Sequence, residues 1–432
     1  TNMLALYKRV FLNKVSHDKD FDYSALHKWS IDNIEEFWNE VWDDANIIGI
    51  KGNQTVNNFD DLIKSEFYPE GRLNFAENLL VGNDNREAIV FYGEGKDRQS
   101  LTLKELKEKV IILAKWLIKN DVSPGDRVAV LATNSPETII SMLATSAIGA
   151  IFTSCSPDFG EEGIIDRFGQ CNPKILITTN GYIYGGKKYD ISDKINNISD
   201  RIPSIKEVIH IRYIDEINTE YDNDWFEILS EKNEDEFEFI KFPFNDPLYI
   251  LYSSGTTGKP KCIIHSAGGT LIQHIKEHRY HCDMQENDRI MYFTTCGWMM
   301  WNWMVTALAS KVTLVLYEGS PIFPNPLILF EIAENEKLSF FGASAKYIDS
   351  LNKLKIQPNE KNHYDKLRVF ASTGSPLAPK SYDWVYSNVK KDLQLSSISG
   401  GTDIVACFVH GNPCLPVKRG EIQCSALGMD VQ

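Results

Sequence analysis

Residues 252–261 read YSSGTTGKPK, and these residue types suit one task, holding an anion. Gly255 and Gly258 let backbone approach a ligand closely. Ser253, Ser254, Thr256 and Thr257 add hydroxyl donors, and successive N–H groups can form an anion-binding nest. Lys259 and Lys261 bring positive charge to a chain with 45 Lys+Arg against 59 Asp+Glu and a formal charge of -14. The pattern is not G-x-x-x-x-G-K-[ST] opening a helix, because Pro260 follows the lysine. Residues 261–265 (KCIIH) read as a strand, so the segment is expected to be a strand–loop–strand phosphate cradle. The plain alternative is a polar hairpin.

Other clusters carry bland readings beside sharp ones. His274, His278 and His281, followed by Cys282, stand at i, i+4 and i+7, a spacing that could hold Zn²⁺. No fourth ligand group is visible, and a partly exposed helix face is expected instead. The stretch from Gly297 to Trp303 is dense in Trp and Met and reads as a pocket wall rather than ordinary core. Thr402–Asp403 suits a helix cap. The acidic run 231–239 (EKNEDEFEF) reads as a solvated face.

The elements that must position these residues follow a rhythm that begins near residue 86. Strands are expected at 87–92, 127–132, 151–154, 174–178, 208–211, 248–252, 261–265, 289–293, 312–317, 338–341, 367–371 and 393–398. Helices are expected between most of them. One starts at a capping box, Thr102 with Glu105, and another at Ser135-Pro136. Short apolar strands alternating with helices predict an α/β fold of two packed αβα subdomains with largely parallel sheets. The expected division is 1–85 as an N-terminal helical cap, 86–245 as the first αβα subdomain and 246–432 as the second, which carries the phosphate loop. Residues 190–246 read as a polar surface excursion. Residues 420–426 read as the beginning of a β-rich subdomain, and both chain ends read as cut.

The 432 residues are enough for about three folding units. Hydrophobic residues at 43% and charged residues at 24% are ordinary for a globular protein. The acidic balance argues against nucleic acid as the main partner. Eight cysteines without a C-x-x-C pair read as reduced thiols in a cytoplasmic protein. No membrane span is expected, since the longest weakly polar run, 141–156, is too short.

Residues 252–261 resemble the signature loop of the adenylate-forming enzymes, which include the acyl-coenzyme A synthetases and luciferases. The chain departs at Cys262, where the family usually has Gly. Residues 372–377 (STGSPL) resemble the stretch whose backbone frames adenine, with Gly374, Ser375 and Pro376 at its turn. Residues 399–403 (SGGTD) resemble the family motif ending in Thr-Glu, with Asp403 in place of Glu. By that resemblance Gly400, Gly401 and Thr402 lie at the nucleotide, Thr402 contacts the α-phosphate, and Asp403 helps hold Mg²⁺. Residues 296–300 (CGWMM) resemble the segment that walls the acyl pocket.

The resemblance implies ATP and coenzyme A as co-substrates, a small acid as substrate, and catalytic roles for Lys261, Thr402 and Asp403. Residues 299–303 (MMWNW), 400–403 (GGTD) and 75–79 (FAENL) resemble the branch of the family that activates acetoacetate. Acetate-activating relatives have Trp two residues before the motif Thr. Gly400 stands there in this chain, which predicts room for a longer acyl chain. Trp298, Met299, Met300, Thr373 and Gly374 are the other expected pocket walls, with Thr373, Asn302 or Trp298 as donor to the keto oxygen. The family's small C-terminal domain, with its bridging Lys, is expected to be absent from these residues, which then bind nucleotide but catalyse poorly. A binding module without chemistry, or another short- or medium-chain acid, are the alternatives. Oligomeric state is not legible.

Overall fold

The computed structural model describes residues 1–11, 21–61, 63–217, 223–231, 236–253, 258–360 and 362–431. Two sheets carry most of the chain, and each is parallel up to one antiparallel edge strand. The first has the order Glu207–Ile211, Ile175–Thr179, Arg127–Leu131, Ile151–Cys155, Pro247–Ser253, Lys261–Ser266. Only its last pairing is antiparallel. The second runs Gln394–Ser397, Val369–Thr373, Phe340–Ser344, Arg289–Tyr292, Thr313–Glu318, Glu87–Gly93, Gln99–Thr102, again with an antiparallel last pair. Strands such as Ile151–Cys155, Ile175–Thr179 and Thr313–Glu318 are buried along their whole length. That is why they read as continuous apolar runs rather than alternating ones.

Local chemistry starts the helices where the sequence places it. Glu105 N donates to Thr102 Oγ1 at 3.2 Å, and Thr102 N donates back to Glu105 Oε2 at 2.8 Å, opening helix Leu103–Lys119. Pro136 begins helix Pro136–Ala147. The Ser135 hydroxyl does not cap that helix and is buried without a partner among the described residues.

Sheet membership does not divide at residue 245. Glu87–Gly93 and Gln99–Thr102 join the second sheet, while Pro247–Ser253 and Lys261–Ser266 complete the first. The chain crosses between sheets twice, because a strand joins whichever edge it can complete. The stretch 190–246 is also more than a surface excursion. Helix Ser192–Arg201 buries Ile195 and Ile198 with Ile191 and Ile202 in a core cluster, and strand Glu207–Ile211 edges the first sheet. Isoleucines at helical spacing carried that signal, diluted by the polar residues between them. Residues 232–235 of the acidic run lie outside the described residues; Glu231, Glu236 and Glu238 are exposed.

Residues 1–85 contain helices Asn2–Phe11, Tyr23–Asp32, Ile34–Asp44 and Phe75–Leu79, with two-residue strands between the last two. At the other end, Ser399–Gly401, Ala406–His410 and Cys424–Ser425 form a small antiparallel sheet. No helix among the described residues is long and apolar enough to cross a membrane. All eight cysteines are unpaired.

Helix Ala267–Lys276 starts at Ser266, whose hydroxyl accepts from Gly269 N at 3.3 Å. A Cβ on Gly268 would lie 2.1 Å from the ring of buried Phe244, whereas one on Gly269 would meet only the Ser266 hydroxyl, at 2.6 Å. Alanine in a helix normally gains about 1 kcal/mol over glycine. At Gly268 the ring must move, and overpacking costs about 1–3 kcal/mol. Gly268→Ala is therefore expected to lower the urea midpoint and Gly269→Ala to leave it nearly unchanged, as equilibrium unfolding of the two variants will show.

Candidate active site

Strands Pro247–Ser253 and Lys261–Ser266 pair antiparallel, the strand–loop–strand arrangement expected of residues 252–261. Ser253 and Lys261 are cross-strand partners at its mouth. Ser254, Gly255, Thr256 and Thr257 lie outside the described residues. Gly258 has φ +100°, a backbone state that favours glycine, with open space where a Cβ would be. Helix Glu161–Cys171 brackets the return limb. Lys259 Nζ lies 3.1 Å from Asp166 Oδ1, and Gln170 Nε2 donates to Pro260 O at 2.9 Å. The two lysines thus differ. Lys259 is ion-paired, whereas Lys261 is exposed and has no ion pair with a described residue. Cys262 continues the strand, paired with Tyr252, so its presence in place of Gly leaves the hairpin intact.

Thr373, Gly374, Pro376, Ser399, Gly400 and Ile422 line a cavity of about 410 Å³. Two motifs far apart in sequence share it because strands Val369–Thr373 and Gln394–Ser397 are parallel neighbours. Ser375 is exposed at the same turn, where Gly374 has φ +90°. The Thr373 hydroxyl donates to Ile398 O at 2.9 Å, so it is committed and is not a spare donor for a keto oxygen.

Gly400 does not make the room expected of it. A Cβ there would lie 1.9 Å from Ala406 O and 2.7 Å from Cys407 Cα. The glycine is required by the close approach of strand Ala406–His410. At Gly401 a Cβ would meet nothing nearer than 3.9 Å.

The aromatic stretch divides. Trp298 is 59% exposed and Met299 half-buried, whereas Met300 is nearly buried. Trp301 and Trp303 are core residues, their indoles donating to Asn134 Oδ1 and Glu277 Oε2, each at 2.9 Å. Only the first part of the stretch can wall a pocket. Asn302 is fully buried, and its amide has no partner among the described residues.

Thr402–Ile404 is a short 3-10 turn with Asp403 exposed inside it, so Asp403 does not cap a helix. Val405 follows in the left-handed region at φ 52°. His265 Nε2 donates to Thr402 O at 2.8 Å, joining this turn to the strand that begins at Lys261.

The histidines at 274, 278 and 281 are fully buried and not on an exposed helix face. Their helix passes into a π-helical turn, Glu277–His281, a distortion found often at functional sites. Lys276, Glu277, Cys407 and His410 join them in the interior. None of these four was singled out in the sequence. Burial raises the Glu277 carboxyl, but Lys276, His410 and the Cys407 N–H outweigh it and hold it below its ordinary value. Burial pushes His274 and His410 down to about 4, and His278 and His281 well below 6.5.

Glu277, Cys407 and His410 place donor atoms within 4.8 Å of one another. The set does not fit a cation. The Lys276 ammonium is already 3.6 Å from Glu277 Oε1, and both Glu277 oxygens accept hydrogen bonds. His410 Nδ1 accepts from Gly411 N, which leaves the proton on Nε2. His274 and His281 each have one nitrogen committed to a backbone carbonyl, so the zinc spacing finds no free ligand set there either.

The AMP-binding enzyme family matches residues 77–427. The chain belongs to this family. The acetyl-coenzyme A synthetase N-terminus matches residues 23–79. An acetoacetyl-coenzyme A synthetase of Rhizobium meliloti (strain 1021) is 46% identical over 415 residues, covering 95% of this chain and 64% of the relative. The acetoacetyl-CoA synthetase of Gallus gallus is 40% identical over 424 residues, covering 95% and 64%. The solved acetoacetyl-CoA synthetase from Streptomyces lividans superposes with TM-score 0.93 at 34% identity, over 100% of this chain and 67% of that one. The chain spans 64% of the length of those two curated relatives.

Two expectations follow from the geometry of this family member. Gly400→Ala must push back the Ala406 carbonyl and is expected to cost about 1–3 kcal/mol, whereas Gly401→Ala should fall within about 0.5 kcal/mol of the parent; thermal or urea unfolding separates them. The buried histidines also set a pH dependence. His274 faces Glu277, His265 and Lys276; His410 faces Glu277 and Lys276; His278 faces His274 and His410; His281 faces His410, Lys276 and His27. Their folded values lie below the unfolded value of about 6.5, so the unfolded chain binds more protons between the two. Their stabilisation is complete above about pH 6.5 and is lost as pH falls toward 4. A urea midpoint that stays level from pH 7 to pH 4.5 would contradict this.

Proposed function

We propose that this chain binds Mg·ATP and a short-chain 3-oxo acid, acetoacetate. A chain of the relatives' length then converts them to acyl-adenylate and on to acyl-coenzyme A. The acid's carboxylate oxygen attacks the α-phosphorus, and the bond to pyrophosphate breaks. The thiolate of coenzyme A then attacks the activated carbonyl, and AMP leaves. The first step calls for positioning and charge neutralisation more than acid–base chemistry.

In this reading residues 253–261 hold the β- and γ-phosphates, with Lys261 as the available cation. Gly374, Ser375 and Pro376 frame the adenine beside Gly400 and Gly401. Thr402 donates to the α-phosphate. Asp403 is an exposed hard oxygen donor without an ion-paired lysine or arginine among the described residues. That chemistry fits Mg²⁺, which takes few protein ligands and completes its shell with phosphate oxygens and water. The ion would offset phosphate charge there. Trp298, Met299 and Met300 face the acyl group. With Thr373 committed to Ile398 O, the exposed Trp298 indole N–H is the proposed donor to the keto oxygen.

One observation carries the reading. The His265–Thr402 hydrogen bond ties the phosphate hairpin to the turn bearing Thr402 and Asp403. The choice of acid rests on relatives named acetoacetyl-coenzyme A synthetases. Titration calorimetry should show Mg·ATP binding by the chain. Lys261→Ala should weaken it about tenfold or more, since a charge-assisted contact is worth about 1.5–3 kcal/mol. Equal affinities would remove the phosphate role of Lys261. In a chain of the relatives' length, ATP binding without AMP formation from any of acetoacetate, acetate or butyrate would favour a binding module.

A further inference from the structure

Four side chains along one run hold the backbone of segment 402–411. His265 Nε2 donates to Thr402 O at 2.8 Å, and His274 Nε2 donates to Val405 O at 2.6 Å. Glu277 Oε1 accepts from Cys407 N at 2.9 Å, and His281 Nδ1 donates to Gly411 O at 2.8 Å. The partners ascend together, from His265 on the strand Lys261–Ser266 to His281 at the end of the helix that follows it.

One rung of the ladder needs a neutral imidazole. His281 Nδ1 donates while its Nε2 accepts from Leu427 N at 3.1 Å, an arrangement open only to the uncharged ring. The ladder also grips a strained point. Val405, a β-branched residue, sits at φ 52° immediately after the turn. Such strain persists where surrounding bonds over-determine it. Here Val405 N donates to Thr402 O at 3.2 Å, and Val405 O takes the His274 bond. The backbone is held from behind while Thr402 stays half-buried and Asp403 exposed.

We propose that His265 and His274 are positioning residues that set Thr402 and Asp403 for the nucleotide by fixing the backbone on which both stand. This rests on the roles proposed above for Thr402 and Asp403. His265→Gln keeps an amide N–H at the reach of Nε2, whereas His265→Asn keeps the chemistry but draws the donor back. Each variant of the full chain is titrated with Mg·ATP, and amide hydrogen exchange is followed across 402–411. The Gln variant should bind within twofold of the parent. The Asn variant should bind fivefold or more weakly, with faster exchange at 403–411, at a thermal midpoint close to that of the Gln variant. Equal affinity in the two variants overturns the proposal, as does a loss that follows the thermal midpoint without faster exchange. A parent chain that does not bind Mg·ATP removes the functional reading and the positioning role together. A parent that binds, with an unaffected Asn variant, removes the positioning role alone. His274→Gln and His274→Asn form a second pair judged by the same outcomes.

Discussion

Within residues 402–411, Val405 to Cys407 and His410 to Gly411 are buried, and every polar group buried there needs a partner. An unpaired buried donor or acceptor costs about 1–3 kcal/mol. The helix from Ala267 answers this with histidines and one glutamate rather than with apolar side chains. Glu277 in turn is a buried charge, which stands only because Lys276 lies beside it and two N–H groups point at it. One of those N–H groups belongs to Trp303, whose ring packs on His278 and Phe340. Phe340 begins an inner strand of the second sheet. The turn at Thr402 is therefore tied to the core of that sheet through a chain of specific contacts.

A second dependence runs through sheet edges. Each large sheet ends in an antiparallel strand, and in the first sheet that strand is the return limb of the hairpin around residue 258. Helix Glu161–Cys171 steadies it from one side through Asp166, Gln170 and Cys171, the last lying 3.2 Å from the Tyr252 hydroxyl. The Lys259–Asp166 pair is largely exposed and so weak, about 0–1 kcal/mol.

The alternation of strands and helices, the Thr102 capping box, the Pro136 helix start and the hairpin around residue 258 were all legible from the chain. Each is decided by neighbours within a few residues, through period, turn chemistry or the reach of one side chain. The likeness to adenylate-forming enzymes supplied Thr402 and Asp403 before any geometry did.

Contacts between distant residues were not legible. A histidine at i, i+4 and i+7 has the same spacing whether water or another strand faces it, so burial of His274, His278 and His281 had no local signature. Gly400 promised space until the Ala406 carbonyl filled it, and the Thr373 hydroxyl stood free until Ile398 took it. The exchange of strands between the sheets was equally hidden, since an apolar strand does not say which edge it will complete. The sequence by itself determined the elements and the chemistry the chain carries. Tertiary structure alone decided which groups remain available for it, because hydrogen bonds and packing between remote segments commit some side chains and leave others exposed.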